Sequence, residues 1–501
     1  MNQYDEMQSH EGLMLPLCNR IITTEISNDY TLPDYQPEVR RVLGVRENIL
    51  PPAKYVSGDA VELNGAVDYT LLYVGADGEI YSAPLSAEYS ANMPFANCRG
   101  LDRNEVMTVS ASVETESVSA RVTAPRKVTV RCRLNCHVRV WGKVFLEEEI
   151  NGDVSAESIQ RLCKDAGFVQ VWEGISDIIE VSDDYETDGD IRVVSADADI
   201  LIDDTSSNSD GVSVRGDIML KLICADEGGE YRTVMRKLPF SEIVETDRAG
   251  KSAETRQVRG SIGNINVSIE EGKIATTVGF FLNASEESNM PFSYAADLYS
   301  TEKHCVCRYE SVSVPVAKIA VDGNFSQSER IPVSDASIGE GAEVIDSCGA
   351  ARVIGIEMTD GKCVLSGESR YDLICRKDGE IFSSEVRVPF KYEIETAEVL
   401  ACERENADIF CSVMNCRVRT DGDILALDSE VMLSGVVFCE QEIVRVVEAD
   451  MGDPIEREGS DIIICYSSAC DTLWSVAKRY LVAPADVMGD PETDRYCIIQ
   501  A

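Results

Sequence analysis

The chain is 501 residues long, 44% apolar and 27% charged, with a formal net charge of −42. Such acidity excludes binding driven by Lys and Arg neutralising phosphates, whether on nucleic acid or on an anionic membrane surface; it leaves a solvated acidic surface or a cationic partner. The apolar fraction excludes a disordered polymer, and the length predicts roughly three to four domains of about 100–200 residues.

Residues Met1 to His10 carry neither a basic nor an apolar region, so no secretory leader is expected. No apolar run of about 18 residues predicts a membrane-spanning helix. The 18 cysteines are therefore expected as reduced thiols. Many, such as Cys224, Cys375, Cys411 and Cys439, stand at apolar strand positions, where they read as small buried hydrophobes.

The first predicted elements follow the extended segment Leu32-Pro33-Asp34-Tyr35-Gln36-Pro37-Glu38-Val39. Arg40 to Asn48 leads into a strand through Gly65 to Tyr73, a turn at Asp77-Gly78 and a second strand from Ile80. Asp-Gly between alternating apolar runs is a strong hairpin signal, because Gly supplies positive φ. Gly65 inside the strand points to a bulge or a close backbone approach. Ala87 to Arg99 reads as an irregular link, and Val106 to Val122 and Arg126 to Val140 as half-buried strands with period two. Glu147 to Gly167 reads as a linker with a short helix at Ser155 to Ala166.

The same hairpin then recurs. Gly216 precedes a turn at Gly228-Gly229, and Gly367 precedes one at Asp378-Gly379; Gly65, Gly216 and Gly367 are spaced 151 residues apart. The second copy starts near Phe168 and has a later hairpin at Gly272, followed by a link from Ser285 to His304. The third starts near Val314, with further hairpins at Asp360-Gly361 and Asp421-Gly422. Leu238-Pro239-Phe240 and Val388-Pro389-Phe390 keep the register of copies two and three, whereas copy one has Glu88-Tyr89-Ser90 there. A fixed period of this kind predicts tandem domains of one type. The fold class expected is mainly β: three antiparallel sandwiches or open barrels, each able to hold its own core. The expected boundaries are 13–146, 165–300 and 312–447, with a polar linker at 448–460 and a small domain at 461–501. In that last stretch Ile462 to Tyr466 predicts a strand, Asp471 to Tyr480 an amphipathic helix with Thr472 or Asp471 as N-cap, Pro484 to Met488 a second short helix, and Tyr496 to Ile499 a closing strand, in the order βααβ.

Asp471-Thr472-Leu473-Trp474-Ser475-Val476-Ala477-Lys478-Arg479-Tyr480 resembles the signature of the LysM module. Cys470 stands where that family has glycine, and Asp490 where it has asparagine. The resemblance implies a glycan or partner groove at Ser467, Ser468, Ala469, Cys470, Asp471, Thr472, Trp474, Gly489 and Asp490. The body resembles the SPOCS spore coat assembly module repeated in Firmicute proteins, through the Leu32 to Val39 segment and the Gly65…Tyr73…Gly78-Glu79-Ile80-Tyr81 hairpin. SPOCS repeats followed by LysM are similar to the spore coat morphogenetic proteins. That resemblance implies a scaffold in the mother-cell cytoplasm at the forespore surface, whose LysM end docks onto the basement-layer ATPase of the coat, with other coat proteins as further partners. The alternative it leaves open is a wall protein holding peptidoglycan through N-acetylglucosamine.

No catalytic residue, cofactor or resident metal is expected. Cys132 and Cys136 share a strand face from which His137 points away, and His304-Cys305-Val306-Cys307 lacks paired CxxC spacing, so zinc loses to core thiols. Gly250-Lys251-Ser252 lacks the earlier glycine of a phosphate loop, since Glu245 stands there. Asp183-Asp184 and Asp203-Asp204 read as solvated turn residues. Gly65, Gly78, Gly216, Gly229, Gly367 and Gly379 are expected to be structural, and Trp474 to pack its own small core.

Overall fold

The computed structural model describes residues 13–57, 60–94, 107–144, 150, 158–187, 191–246, 255–270, 272–359, 361–396, 404–456, 462–468 and 471–500. They are mainly β and antiparallel. The first unit comprises β1 (Leu13–Thr31), β2 (Val39–Ile49), β3 (Ala53–Ser57), β4 (Ala60–Gly75), β5 (Ile80–Pro94), β6 (Met107–Ala124) and β7 (Lys127–Val144). The second comprises β8 (Ile159–Ile175), β9 (Ile179–Glu186), β10 (Ile191–Ser207), β11 (Val212–Asp226), β12 (Tyr231–Val244), β13 (Thr255–Glu270) and β14 (Lys273–Ser300). The third comprises β15 (Lys303–Pro332), β16 (Glu343–Thr359), β17 (Lys362–Lys377), β18 (Glu380–Glu395), β19 (Arg404–Asp421) and β20 (Ile424–Pro454). The tail holds β21 (Ile462–Tyr466), α1 (Leu473–Tyr480), β22 (Val487–Met488) and β23 (Tyr496–Gln500).

Each unit is two sheets packed face to face. In the first, β4 is flanked by β2, β3 and β5, and β7 by β1 and β6. One apolar core joins them, including Leu63, Leu71 and Tyr73 from one sheet and Val130, Leu134 and Val138 from the other. Units two and three repeat the pattern around β11 with β14 and β17 with β20. Cys132 and Cys136 lie in the first core, while His137 points away and meets Glu114 at 3.0 Å.

The strand glycines have a specific cause. Gly65 pairs with Tyr89, Gly216 with Phe240 and Gly367 with Phe390. In each case the partner's ring lies where a glycine Cβ would stand, so the aromatic of β5, β12 or β18 folds over bare backbone of the central strand. Tyr89 therefore does the work of the two phenylalanines, although copy one lacks the Pro-Phe pair. The turns differ in detail. At Gly78 (φ 91°) and Gly229 (φ 78°) only the glycine has positive φ, whereas the one-residue-shorter third turn puts both Asp378 (φ 52°) and Gly379 (φ 79°) there.

Several expectations fail. Ile159 to Ala166 lies in β8, so the helix expected at 155–166 is strand from Ile159 onward. The link expected at 285–304 is largely the second half of the 28-residue β14, and Ala87 to Pro94 belongs to β5. The linker expected from Glu448 opens instead with the end of the 31-residue β20, because hydrogen bonding to β15 continues as far as Pro454. Pro484–Asp486 is a single 3-10 turn, so among the described residues there is one α-helix rather than two. Fourteen described cysteines are free, but Cys439 is disulfide-bonded and not a reduced thiol.

Each unit keeps its own core, and the three also meet one another. Leu43, Val194 and Ile345, spaced 151 residues apart, meet in one cluster with Leu72, Ile223 and Ile374. The hairpin tips close a cycle around it. Arg41 of the first unit donates to the Ile381 carbonyl of the third at 3.1 Å. Arg192 of the second donates to the Ile80 carbonyl of the first at 3.0 Å. Arg376 of the third reaches Glu230 of the second at 2.7 Å. Below this apolar layer the three strands diverge in chemistry. Arg46, Asp197 and Cys348, again 151 apart, meet Lys221 and the buried Asp346 in one polar cluster. The guanidinium of Arg46 and the Lys221 ammonium hold the Asp346 carboxyl below the usual carboxylate range against the burial that opposes its charge.

Candidate functional site

The tail sheet runs β21-β23-β22, and its strands are apolar on both faces. Ile463 and Cys465 of β21 and Cys497 and Ile499 of β23 turn inward, onto Val476 and Ala477 of α1. Period two then forces Ile462, Ile464 and Tyr466 outward, beside Tyr496, Ile498 and Met488. Tyr466 is 72% exposed, Ile464 59% and Tyr496 51%. The two tyrosine rings meet edge to face at 6.4 Å. The result is an uncovered apolar face on a domain of very small size.

The helix is set by local chemistry. Thr472 is the N-cap; its hydroxyl accepts from the Ser475 amide at 3.2 Å while the Ser475 hydroxyl accepts from the Thr472 amide at 2.8 Å. Leu481 closes the helix in the left-handed conformation. Asp471 is buried, pairs with Arg479 and accepts from the Ser468 amide at 3.1 Å. Those hydrogen bonds, Arg479 first, hold its carboxyl below the usual range.

The residues expected to line a groove divide in two. The Ser467 amide donates to the Arg495 carbonyl at 3.1 Å, so the loop holding Ser467, Ser468, Asp471 and Thr472 sits beside the one holding Gly489 and Asp490. Asp490 is spent on its own turn, accepting from Glu492 and Thr493. Ala469 and Cys470 lie outside the described residues. Trp474 does not join this group.

Trp474 packs on the small tail core, as expected, and it also faces the body. Its indole N–H donates to Asp297 of β14 at 2.8 Å, and its ring meets Tyr299 edge to face at 4.9 Å. Lys478, one turn on, donates to the same carboxylate at 2.6 Å, and so does the Tyr309 hydroxyl of β15 at 2.7 Å. Tyr299 in turn donates to the Val482 carbonyl at 2.6 Å. Burial opposes ionisation of Asp297, but the donors from Lys478, Trp474, Tyr309 and the Leu298 amide outweigh it and lower its pKa. The helix face is thus latched to the body, and the opposite sheet face is left to solvent.

Sequence reasoning missed both halves of this arrangement. Asp297 and Tyr299 fell in a stretch taken for a link. The outward face was signalled by Ile462-Ile463-Ile464, a run apolar on both faces of a strand with only one helix to cover it. The carboxylate pairs read as solvated are partly engaged: Asp183 pairs with Arg236 at 2.7 Å, and Asp204 with Arg215. No protein-family model matches this chain, and no curated protein matches it.

Proposed function

We propose that this chain is a non-enzymatic scaffold of spore coat assembly, built of SPOCS-like units and a LysM-like tail, and that the tail docks onto the basement-layer ATPase at the forespore surface from the mother-cell side. The observation that carries the docking half is the outward face of Ile462, Ile464, Tyr466, Met488 and Tyr496. An uncovered apolar patch with paired aromatics suits a protein interface, where tyrosine is enriched at the energetic centre. The latch supports the same reading, because a tail held by its helix presents its sheet in a fixed direction. The units supply a rigid acidic body; the assignment to a coat rests on the resemblance of Leu32 to Val39 and of the Gly65 hairpin.

The test is capture of the purified basement-layer ATPase by the full chain. Wild type is expected to retain it, and Ile464→Asp to lose it without a change in thermal stability. Retention undiminished in Ile464→Asp removes the proposed face, and no retention by wild type removes the docking step. Sedimentation with purified peptidoglycan, abolished by deleting 461–501, would favour the glycan alternative.

A further inference from the structure

A second feature lies beside the latch, where β15 pairs with β20. Cys305 and Cys307 stand two residues apart on β15, so their side chains leave the same face. Their sulfurs are 3.7 Å apart. Both thiols are free and only half-buried, so a small ion can reach them. Met451 of β20 is the register partner of Cys305, and directly opposed residues share a face. All three side chains pack in one small cluster with Leu298, Val446 and Ala449.

We propose that Cys305, Cys307 and Met451 form a binding site for one Cu(I) ion. Two thiolates and a thioether are a soft ligand set, which selects Cu(I) over hard cations that require oxygen. Among the described residues no three His, Cys, Asp or Glu side chains gather in one metal-binding group, so the tetrahedral nitrogen and sulfur set that zinc requires is absent there. The third donor is a thioether, and His304 is exposed at a register irregularity beside the pair. Leu298, Val446 and Ala449 supply an apolar side to the cluster, which brings no oxygen ligand of its own. Binding forms two Cu–thiolate bonds and one Cu–thioether bond; two thiol protons leave to solvent and no electron is transferred. Affinity therefore rises with pH.

The site is coupled to the latch by one hydrogen bond. The Cys307 thiol donates to the Leu298 carbonyl at 3.3 Å, and Leu298 follows the Asp297 that holds Trp474 and Lys478. A Cu(I)-bound thiolate has no proton to donate, so loading frees the Leu298 carbonyl.

The experiment is an anaerobic titration of the full chain with Cu(I) against a chromophoric bidentate chelator. Wild type is expected to retain one equivalent more than the Cys305→Ser/Cys307→Ser variant. Met451→Leu is expected to keep that equivalent with weaker affinity. Equal retention by wild type and the double variant overturns the site, as does a metal shell containing nitrogen or oxygen by X-ray absorption. Should the double variant fail to fold, alkylation of wild type read by peptide mass spectrometry decides. One equivalent of Cu(I) must protect Cys305 and Cys307 together, and alkylation unchanged by the metal overturns the proposal.

Discussion

The joint between the three units and the joint between body and tail are made on opposite plans. The first is written three times. Leu43, Val194 and Ile345 supply one apolar layer and Leu72, Ile223 and Ile374 another, and the tips close it with three arginine contacts. The second is written once. A single carboxylate, Asp297, gathers Trp474, Lys478 and Tyr309, and one ring, Tyr299, fills the gap. A repeated contact is buffered, because each unit contributes about a third of it. A single-copy contact fails with one substitution, yet it fails alone. The comparison implies that the ring sets global stability, whereas the latch sets only where the tail sits.

The largest expected effect tests the ring. Ile223 is 1% exposed at the meeting point of all three units. Ile223→Asp leaves a carboxylate there with no partner and is expected to cost about 4 kcal/mol or more. Denaturant melts of wild type and variant measure it. A loss comparable to that of a surface change, such as Ile464→Asp on the exposed tail face, would mean that the three units are independent after all.

Most of the ring's parts were legible and their assembly was not. The 151-residue spacing, the glycines and the turns stand out because backbone geometry demands them: Gly78, Gly229 and Gly379 have positive φ. Period two tells that Val194 or Ile223 leaves a strand on an apolar face. It is silent on whether that face meets its own sandwich or the neighbouring unit, since both need the same residue types. The tail was legible at its helix, where Thr472 and Ser475 form a reciprocal cap. It was illegible at its latch, because Asp297 is an unremarkable acid in a chain with 88 of them. The β14 extension was hidden by Pro291, a residue that argues against a central strand, although Pro291 pairs with Gly167 of β8 in a ladder that keeps one register from Asn283 to Ala295.

The middle effect tests the latch. Trp474→Ala removes the edge contact to Tyr299 and the donor to Asp297, and a half-buried tryptophan of this kind is expected to contribute about 2 kcal/mol of docking. Amide hydrogen exchange should show lost protection confined to the tail and to the Asp297–Tyr299 segment, with the ring unchanged. Deprotection spreading to Ile223 or Ile374 would make the two joints one cooperative unit.

The smallest effect separates the joints by pH. Burial raises Glu47 of the first unit to about 7, with Asp372 adding to the shift and Arg370 and a Thr115 hydrogen bond opposing it. Burial and the charge of Asp197 raise Asp199 of the second unit to about 7, against Lys221 and Arg46. Asp199 also lines the open cleft of about 580 Å³ between units two and three, so solvent screens it and Glu47 is the stronger of the two. Unfolded, these groups titrate near ~4.3 and ~3.9. The folded state therefore binds protons more tightly, and ring stability rises as pH falls from 8 through 7 towards 5. The latch has the opposite sign. Asp297 is depressed when folded, so its contribution is complete above ~3.9 and is lost only as pH falls through its lower folded value. Between pH 8 and 6 the melting temperature of the body should rise while tail protection stays constant. The double variant Glu47→Gln/Asp199→Asn should flatten the rise in the body. A tail that loosens in that window would show that the latch depends on a group other than Asp297, whereas a body that loosens on acidification would show that Glu47 and Asp199 are hydrated and ionised inside the ring.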